Sequence, residues 1–70
     1  MTADEMFEAL GYRKREFENS ISYSKNCEHI DFSLENKLVN CSDELWDNKL
    51  ISMQELNAIN KKCEEMGWIK

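Results

Sequence analysis

The sequence predicts a single α+β domain in which an N-terminal helix, three or four antiparallel strands and a C-terminal helix follow one another. Apolar residues recur with a period near 3.6 at both ends of the chain and with a period of 2 between them. Seventy residues leave no room for a second hydrophobic core. Neither helix has another apolar surface to cover, so we expect both helices on one face of the sheet.

Composition and charge narrow the class of protein. The chain is 33% charged and 41% hydrophobic, which is typical of a globular domain. It has no apolar run of the ~20 residues that a membrane span needs, and its acidic start lacks the features of a signal peptide. We therefore expect a cytoplasmic protein, whose three cysteines stay reduced and act as small buried apolar residues: Cys27, Cys41 and Cys63.

The first segment, MTADEMFEALGY, carries helix signals at both ends. Thr2 and Glu5 have the spacing of a capping box, and Gly11 supplies the left-handed residue that ends a helix. Tyr12 can then fold back over Phe7. The apolar stripe of this helix is Met6, Phe7 and Leu10.

The last segment, ISMQELNAINKKCEEMGW, repeats these signals. Ser52 and Glu55 form a second capping box, Gly67 ends the helix, and Trp68 can cover Cys63. Spacings of three and four residues predict that one face of the helix is buried. That predicted face consists of Met53, Leu56, Ile59, Cys63 and Met66.

Between the helices, alternating apolar residues predict an antiparallel meander with one wet face. A two-residue turn at 26–27 places Tyr23 opposite Ile30, and a second at 35–36 places Phe32 opposite Val39. Both turns select the same apolar face, and a slip of one residue would turn half of it toward water. The predicted face is Ile21, Tyr23, Ile30, Phe32, Leu34, Val39 and Cys41.

Residues 13–19, RKREFEN, are compatible with a fourth strand at the edge of the sheet. Its bases would keep that edge solvated. A short loop at 18–20 would place Phe17, the one apolar residue of this strand, opposite Ile21.

Segment 41–48, CSDELWDN, holds three carboxylates and Trp46 between the last strand, ending near Cys41, and the last helix. It lacks the alternate oxygen ligands and the glycine of an EF-type calcium loop. The softer ligands that zinc would need are scattered over a hairpin, both sheet faces and a helix: Cys27, His29, Cys41 and Cys63. We expect neither a metal nor a cofactor.

Two interpretations of this segment remain. In the simpler one it is a structural connection, with Leu45, Leu50 and Trp46 packed over the edge of the sheet. In the other, an exposed tryptophan ringed by carboxylates forms a protein-binding hot spot. The candidate partner-binding residues are Asp43, Glu44, Trp46 and Asp47.

The sequence contains no recognisable catalytic motif. His29 is the only histidine, and with Asp31 on the same strand it makes no triad. The chain has no nucleophile elbow, P-loop, zincin motif or dinucleotide fingerprint. We therefore expect a protein that is not an enzyme.

The two ends, TADEMFEALGY and ISMQELNAINKKCEEMGW, resemble small uncharacterised proteins of low-GC Gram-positive bacteria and their prophages. The pattern is T-A-x-E-M-F-E-x-L-G-Y at the start and I-S-M-x-E-L-x-A-I-N followed by G-W at the end. The resemblance covers about 30 of the 70 residues and implies a bacterial or phage origin and one compact domain. It brings no catalytic residues with it.

The leading hypothesis is a non-enzymatic protein–protein interaction module of a phage, prophage or bacterium. It would bind a host or phage protein, as an inhibitor or by imitating DNA through its carboxylates. A net charge of −5 opposes direct binding of nucleic acid. The alternatives are a nucleic-acid-associated regulator and a small-ligand or metal-binding domain. A homodimer through a sheet edge is compatible with each of them. The nucleic-acid alternative would use Arg13, Lys14, Arg15 and Lys25.

Overall fold

A computed structural model describes residues 1–45 and 49–69 of the chain. Its elements are α1 (Ala3–Ala9), β1 (Arg13–Glu16), β2 (Ser20–Lys25), β3 (Glu28–Ser33), β4 (Leu38–Asp43) and α2 (Met53–Glu65). The strands form one antiparallel sheet in the order β1-β2-β3-β4. The predicted α+β meander between two helices is therefore confirmed, with four strands.

The core is an aromatic cluster between the helices and one face of the sheet. The ring of Phe7 on α1 stacks on Tyr23 with centroids 4.0 Å apart, and it meets Phe32 edge-on at 6.2 Å. The other members of the buried cluster are Tyr12, Ile30 and, on α2, Ala58. Offset-stacked and edge-to-face pairs contribute roughly 0.5–1.5 kcal/mol each beyond their buried area. Both helices thus cover the same face, as predicted.

The helix starts follow the sequence signals. In α1 the hydroxyl of Thr2 accepts the N–H of Glu5 at 3.1 Å, and the Glu5 carboxylate accepts the N–H of Thr2 at 2.8 Å. In α2, Ser52 and Glu55 make the same reciprocal pair. Both predicted capping boxes are confirmed.

The helix ends also follow the sequence. Gly11 and Gly67 adopt φ of +94° and +75°, where a side chain would be strained. The next residue then hydrogen-bonds back into the helix: Tyr12 N–H to the carbonyl of Phe7 at 3.0 Å, and Trp68 N–H to that of Cys63 at 2.9 Å. This is the Schellman pattern, and it places Tyr12 edge-on to the Phe7 ring.

The registers of β2–β3 and β3–β4 are as predicted, with Tyr23 opposite Ile30 and Phe32 opposite Val39. The β3–β4 turn is longer than predicted, because the ladder stops at Ser33–Leu38 and residues 34–37 form the turn. Lys37 takes a left-handed φ of +56°, and its N–H bonds the carbonyl of Ser33. Placing Leu34 in the core was wrong, since it lies in this turn and is exposed.

The predicted register of β1 was wrong by one residue. Glu16, not Phe17, lies opposite Ile21, because the Phe17 N–H donates to the carbonyl of Ser20 at 2.8 Å and closes a tighter turn. Phe17 is outside the strand and exposed. Lys14 lies opposite Tyr23, so it shares the helix-covered side of the sheet.

The predicted buried face of α2 was wrong at its first two residues. Met53 and Leu56 are 68% and 48% exposed, whereas Glu55, Ala58 and Lys62 are buried. The helix turns this way because both charged side chains find partners beneath it; Lys62, for example, lies 3.5 Å from an Asp4 oxygen. The later stripe residues pack partly against the core: Ile59, Cys63 and Met66.

Candidate functional site

Two of the four residues predicted to bind a partner, Asp43 and Glu44, lie at the end of β4. Asp43 is the last residue of that strand, and its Oδ1 accepts the N–H of Leu45 at 2.8 Å. Glu44 is exposed, its N–H donates to the carbonyl of Cys27, and its Oε1 lies 3.1 Å from His29 Nε2. Trp46 and Asp47 lie outside the described residues. Asp43 and Glu44 are thus two consecutive acidic residues at the end of β4.

The structural interpretation of this segment was wrong about its leucines. Leu45 and Leu50 are among the most exposed apolar side chains of the chain and do not cover the sheet edge. The connection into α2 is held by a polar contact instead. The side chain of Lys49 is 1% exposed, and its ammonium group lies 2.7 Å from Glu28 on β3 and 3.1 Å from Glu55 on α2.

This buried lysine carries a full charge. Burial by itself would lower the pKa of Lys49, but the carboxylates of Glu28 and Glu55 raise it above its usual value. Burial would likewise raise the pKa of Glu55. Three hydrogen bonds outweigh this effect of burial and lower the pKa of Glu55 to about 2. They come from the N–H of Ser52, the hydroxyl of Tyr12 and the ammonium group of Lys49. The segment between β4 and α2 is therefore held in place by the ammonium group of Lys49 and its two carboxylate partners.

With the leucines exposed, a set of large apolar side chains is accessible in the described residues from the end of β4 to the first turns of α2. We call it the β4–α2 patch. Its five members lie within twelve positions of the chain and are 42–87% exposed, and they make up half of the large hydrophobic residues that are exposed in the described part of the chain. The members are Leu45, Leu50, Ile51, Met53 and Leu56.

Sequence reasoning assigned Met53 and Leu56 to the core, so it missed their place in this patch. A competing stripe with the same spacing was present in the sequence at positions 55, 58, 59, 62, 63 and 66. Apolar periodicity alone does not indicate this stripe, because it begins with Glu55 and contains Lys62. The signal that could have revealed it is Lys49, an oppositely charged residue close in sequence to Glu55.

The four basic residues of the nucleic-acid alternative do not share one surface, although Arg13 and Lys25 line a common cavity beside Gly11. Lys14 bridges Asp4 at 2.7 Å and Glu16 at 2.9 Å. Lys25 reaches the carbonyl of Leu10 at 3.2 Å and lies 5.0 Å from the centre of the Tyr12 ring. The register turns the other two bases, Arg13 and Arg15, toward the face that the helices leave open.

The open face of the sheet is polar. His29 lies between Ser24 and Ser42 in the ladder, and the hydroxyl of Ser22 donates to Asp31 at 2.5 Å. No hydrogen bond within the described residues links a serine to His29. Burial raises the pKa of the Cys41 and Cys63 thiols, which disfavours their nucleophilic thiolate forms. In the same described residues, no three His, Cys, Asp or Glu side chains are grouped so as to hold a metal ion.

Comparisons with known proteins add no relative. No protein-family model, curated protein or solved structure matches the chain. In residues 1–45 and 49–69, no helix has the length and apolar content to cross a membrane. The β4–α2 patch and its acidic neighbours are therefore interpreted from their geometry.

Proposed function

We propose that this chain is a non-enzymatic protein–protein interaction module that binds its partner through the β4–α2 patch and the acidic residues beside it. The observation that carries the proposal is the exposure of five large apolar side chains next to Asp43 and Glu44. Clustered exposed apolar residues with a polar rim mark protein-binding surfaces. Trp46 and Asp47 remain candidates from the sequence alone, because they lie outside the described residues.

Charge adds selectivity to this surface. Asp43 and Glu44 come directly before Leu45 at the end of β4, and the whole chain carries a net charge of −5. Such a rim favours a partner whose apolar pocket is flanked by basic residues, and it accelerates their encounter at low ionic strength. An inhibitor of a phage or bacterial nucleic-acid-binding protein is one such role within this proposal, because its basic surface would accept carboxylates in place of phosphates.

The test is affinity capture from a lysate of a low-GC Gram-positive bacterium, with mass spectrometry of the retained proteins. The Leu50→Glu/Met53→Glu double variant places charge at the centre of the patch. Both residues are exposed, so the fold should persist, which circular dichroism checks. We expect this variant to lose the proteins that the unaltered chain retains.

The matched control is Leu38→Glu. Leu38 is 62% exposed, yet it begins β4 at the opposite end of that strand from Asp43. It should retain the same proteins as the unaltered chain. Equal retention by all three chains, or equal loss in both variants, would remove the β4–α2 patch from consideration.

A further inference from the structure

The two edges of the sheet are protected to different degrees. β1 is four residues long, entirely exposed, and has the sequence RKRE, so charge covers that edge. β4 is six residues long and has the sequence LVNCSD, without lysine, arginine, proline or glycine. Within the described part of the chain, no strand pairs with the outer edge of β4. It is the edge that another strand can join.

The ladder fixes which backbone groups of β4 point outward. The Glu44 N–H donates to Cys27 across the β3–β4 hairpin, and hydrogen-bonded pairs recur at every second residue of an antiparallel ladder. The groups of Asn40 and Ser42 therefore face β3, in register with Asp31 and His29. The outward N–H and C=O groups belong to Val39, Cys41 and Asp43.

We propose that β4 pairs with β4 of a second copy of this chain, antiparallel about a twofold axis at Asn40. The two four-stranded sheets then form one continuous sheet of eight strands, with all four helices on the same face. In this register Val39 of one copy lies opposite Cys41 of the other, and their outward backbone groups bond reciprocally. The two Asn40 side chains face each other on the open face.

Charge supports this register. Lys37 comes directly before β4 and Asp43 ends it, so the antiparallel pairing brings the Lys37 end of one strand beside the Asp43 end of the other, and the twofold axis repeats this attraction. Opposite charges facing each other across an antiparallel ladder stabilise it, and like charges destabilise it. Each β4 strand therefore has a basic residue directly before its start and an acidic residue at its end, which is the arrangement that antiparallel pairing with a copy of itself requires.

Neighbouring registers lack this match. A slip of two residues in one direction places Val39 opposite Asp43, and a slip in the other direction brings Asp43 beside the turn that contains Glu35. A slip of one residue would oppose outward backbone groups to inward ones, so no ladder forms. The register centred on Asn40 is the one in which backbone, apolar and charged groups agree.

The first experiment is sedimentation equilibrium over a range of concentrations. The unaltered chain should approach twice its 8.3 kDa monomer mass as concentration rises. Asn40→Lys opposes two lysines at the axis and should raise the dimer Kd by up to about fivefold. The control, Glu16→Lys on the other edge, should leave it unchanged. A chain that stays monomeric throughout, or a dimer weakened equally by both variants, would overturn the proposal.

The second experiment tests the register by cross-linking. Directly opposite residues of a non-hydrogen-bonded pair have Cα atoms about 4.5 Å apart, within disulfide range. Under mild oxidation, Asn40→Cys should therefore form an intermolecular disulfide faster than Leu38→Cys, whose introduced thiols would lie four positions apart, about 13 Å. The unaltered chain gives the background from its own cysteines. Equal rates for the two variants would refute this register while leaving the β4–α2 patch untouched.

Discussion

The phenol of Tyr12 donates a hydrogen bond to the carboxylate of Glu55, 43 positions later in the chain. Tyr12 follows the glycine that ends α1, and Glu55 is the capping-box residue that begins α2. One contact therefore joins the end of the first helix to the start of the second. The carboxylate of Glu55 also pairs with the ammonium group of Lys49. It therefore links both helices to the segment between β4 and α2.

Removing this phenol tests the contribution of the link. Tyr12→Phe keeps the ring that meets Phe7 edge-on and deletes only the donor. Loss of a buried hydrogen bond to a charged acceptor should lower the free energy of unfolding by about 1.5–3 kcal/mol. Urea denaturation with an unchanged m-value measures it. An unchanged midpoint would mean that Ser52 and Lys49 satisfy Glu55 without the phenol.

Lys49→Met should be more damaging, because it leaves the carboxylates of Glu28 and Glu55 without their shared cation. Breaking a buried ion pair on one side costs about 3–5 kcal/mol, which is comparable with the whole stability of a small domain. Thermal unfolding measures the loss. Lys37→Met serves as the control, since this exposed turn residue should change stability by less than about 0.5 kcal/mol. Similar losses in both variants would contradict the anchoring role of Lys49.

Stability should fall in acid. Burial alone would raise the pKa of Asp4, but hydrogen bonds from Lys14 and Tyr23 lower it to about 2, as the contacts of Glu55 do for that residue. Because both carboxyls have a lower pKa in the folded chain than their usual 3.8 and 4.5, stability is complete above about pH 5 and is lost down to pH 2.

The two carboxyls differ in their share of this loss. Glu55 has a side chain only 10% exposed and should account for roughly 2–3 kcal/mol. Asp4 is 44% exposed, so solvent screening reduces its share to about 1 kcal/mol or less. Urea titrations between pH 2 and 6 measure the profile. Glu55→Gln should flatten most of it, and a profile that stays as steep in this variant would contradict the assignment.

The orientation of α2 can be tested by two substitutions on opposite sides of the helix. Ala58 is fully buried against the aromatic cluster, so Ala58→Leu should overpack it by about 1–3 kcal/mol. For a domain of this size that lowers Tm by about 4–8 °C per kcal/mol. Met53→Gln changes an exposed residue to one of similar helix propensity and should leave Tm within a few degrees. A larger loss of Tm for Met53→Gln than for Ala58→Leu would instead favour the buried face predicted from periodicity, which includes Met53.

Much of the fold could be read from local rules. The capping boxes at Thr2 and Ser52 and the glycines at 11 and 67 are determined within a few residues of chain, so they fixed the helices. The β2–β3 and β3–β4 registers followed because an error of one residue would have exposed half of an apolar face. Where the strand held a single apolar residue, Phe17, this check was missing, and the predicted register of β1 was wrong.

The candidate site depended on tertiary structure. Apolar periodicity assigned Met53 and Leu56 to the core, yet the charged partners of Glu55 and Lys62 turned a different stripe inward. Hydrophobic side chains gain free energy from any buried surface, whereas a buried charge is tolerated only beside its counter-charge. The sequence by itself therefore determined where the two helices begin and end and how β2, β3 and β4 pair, because those signals act over neighbouring residues. The tertiary structure decided which faces are buried, because Lys49, Glu28 and Glu55 meet only once the chain has folded.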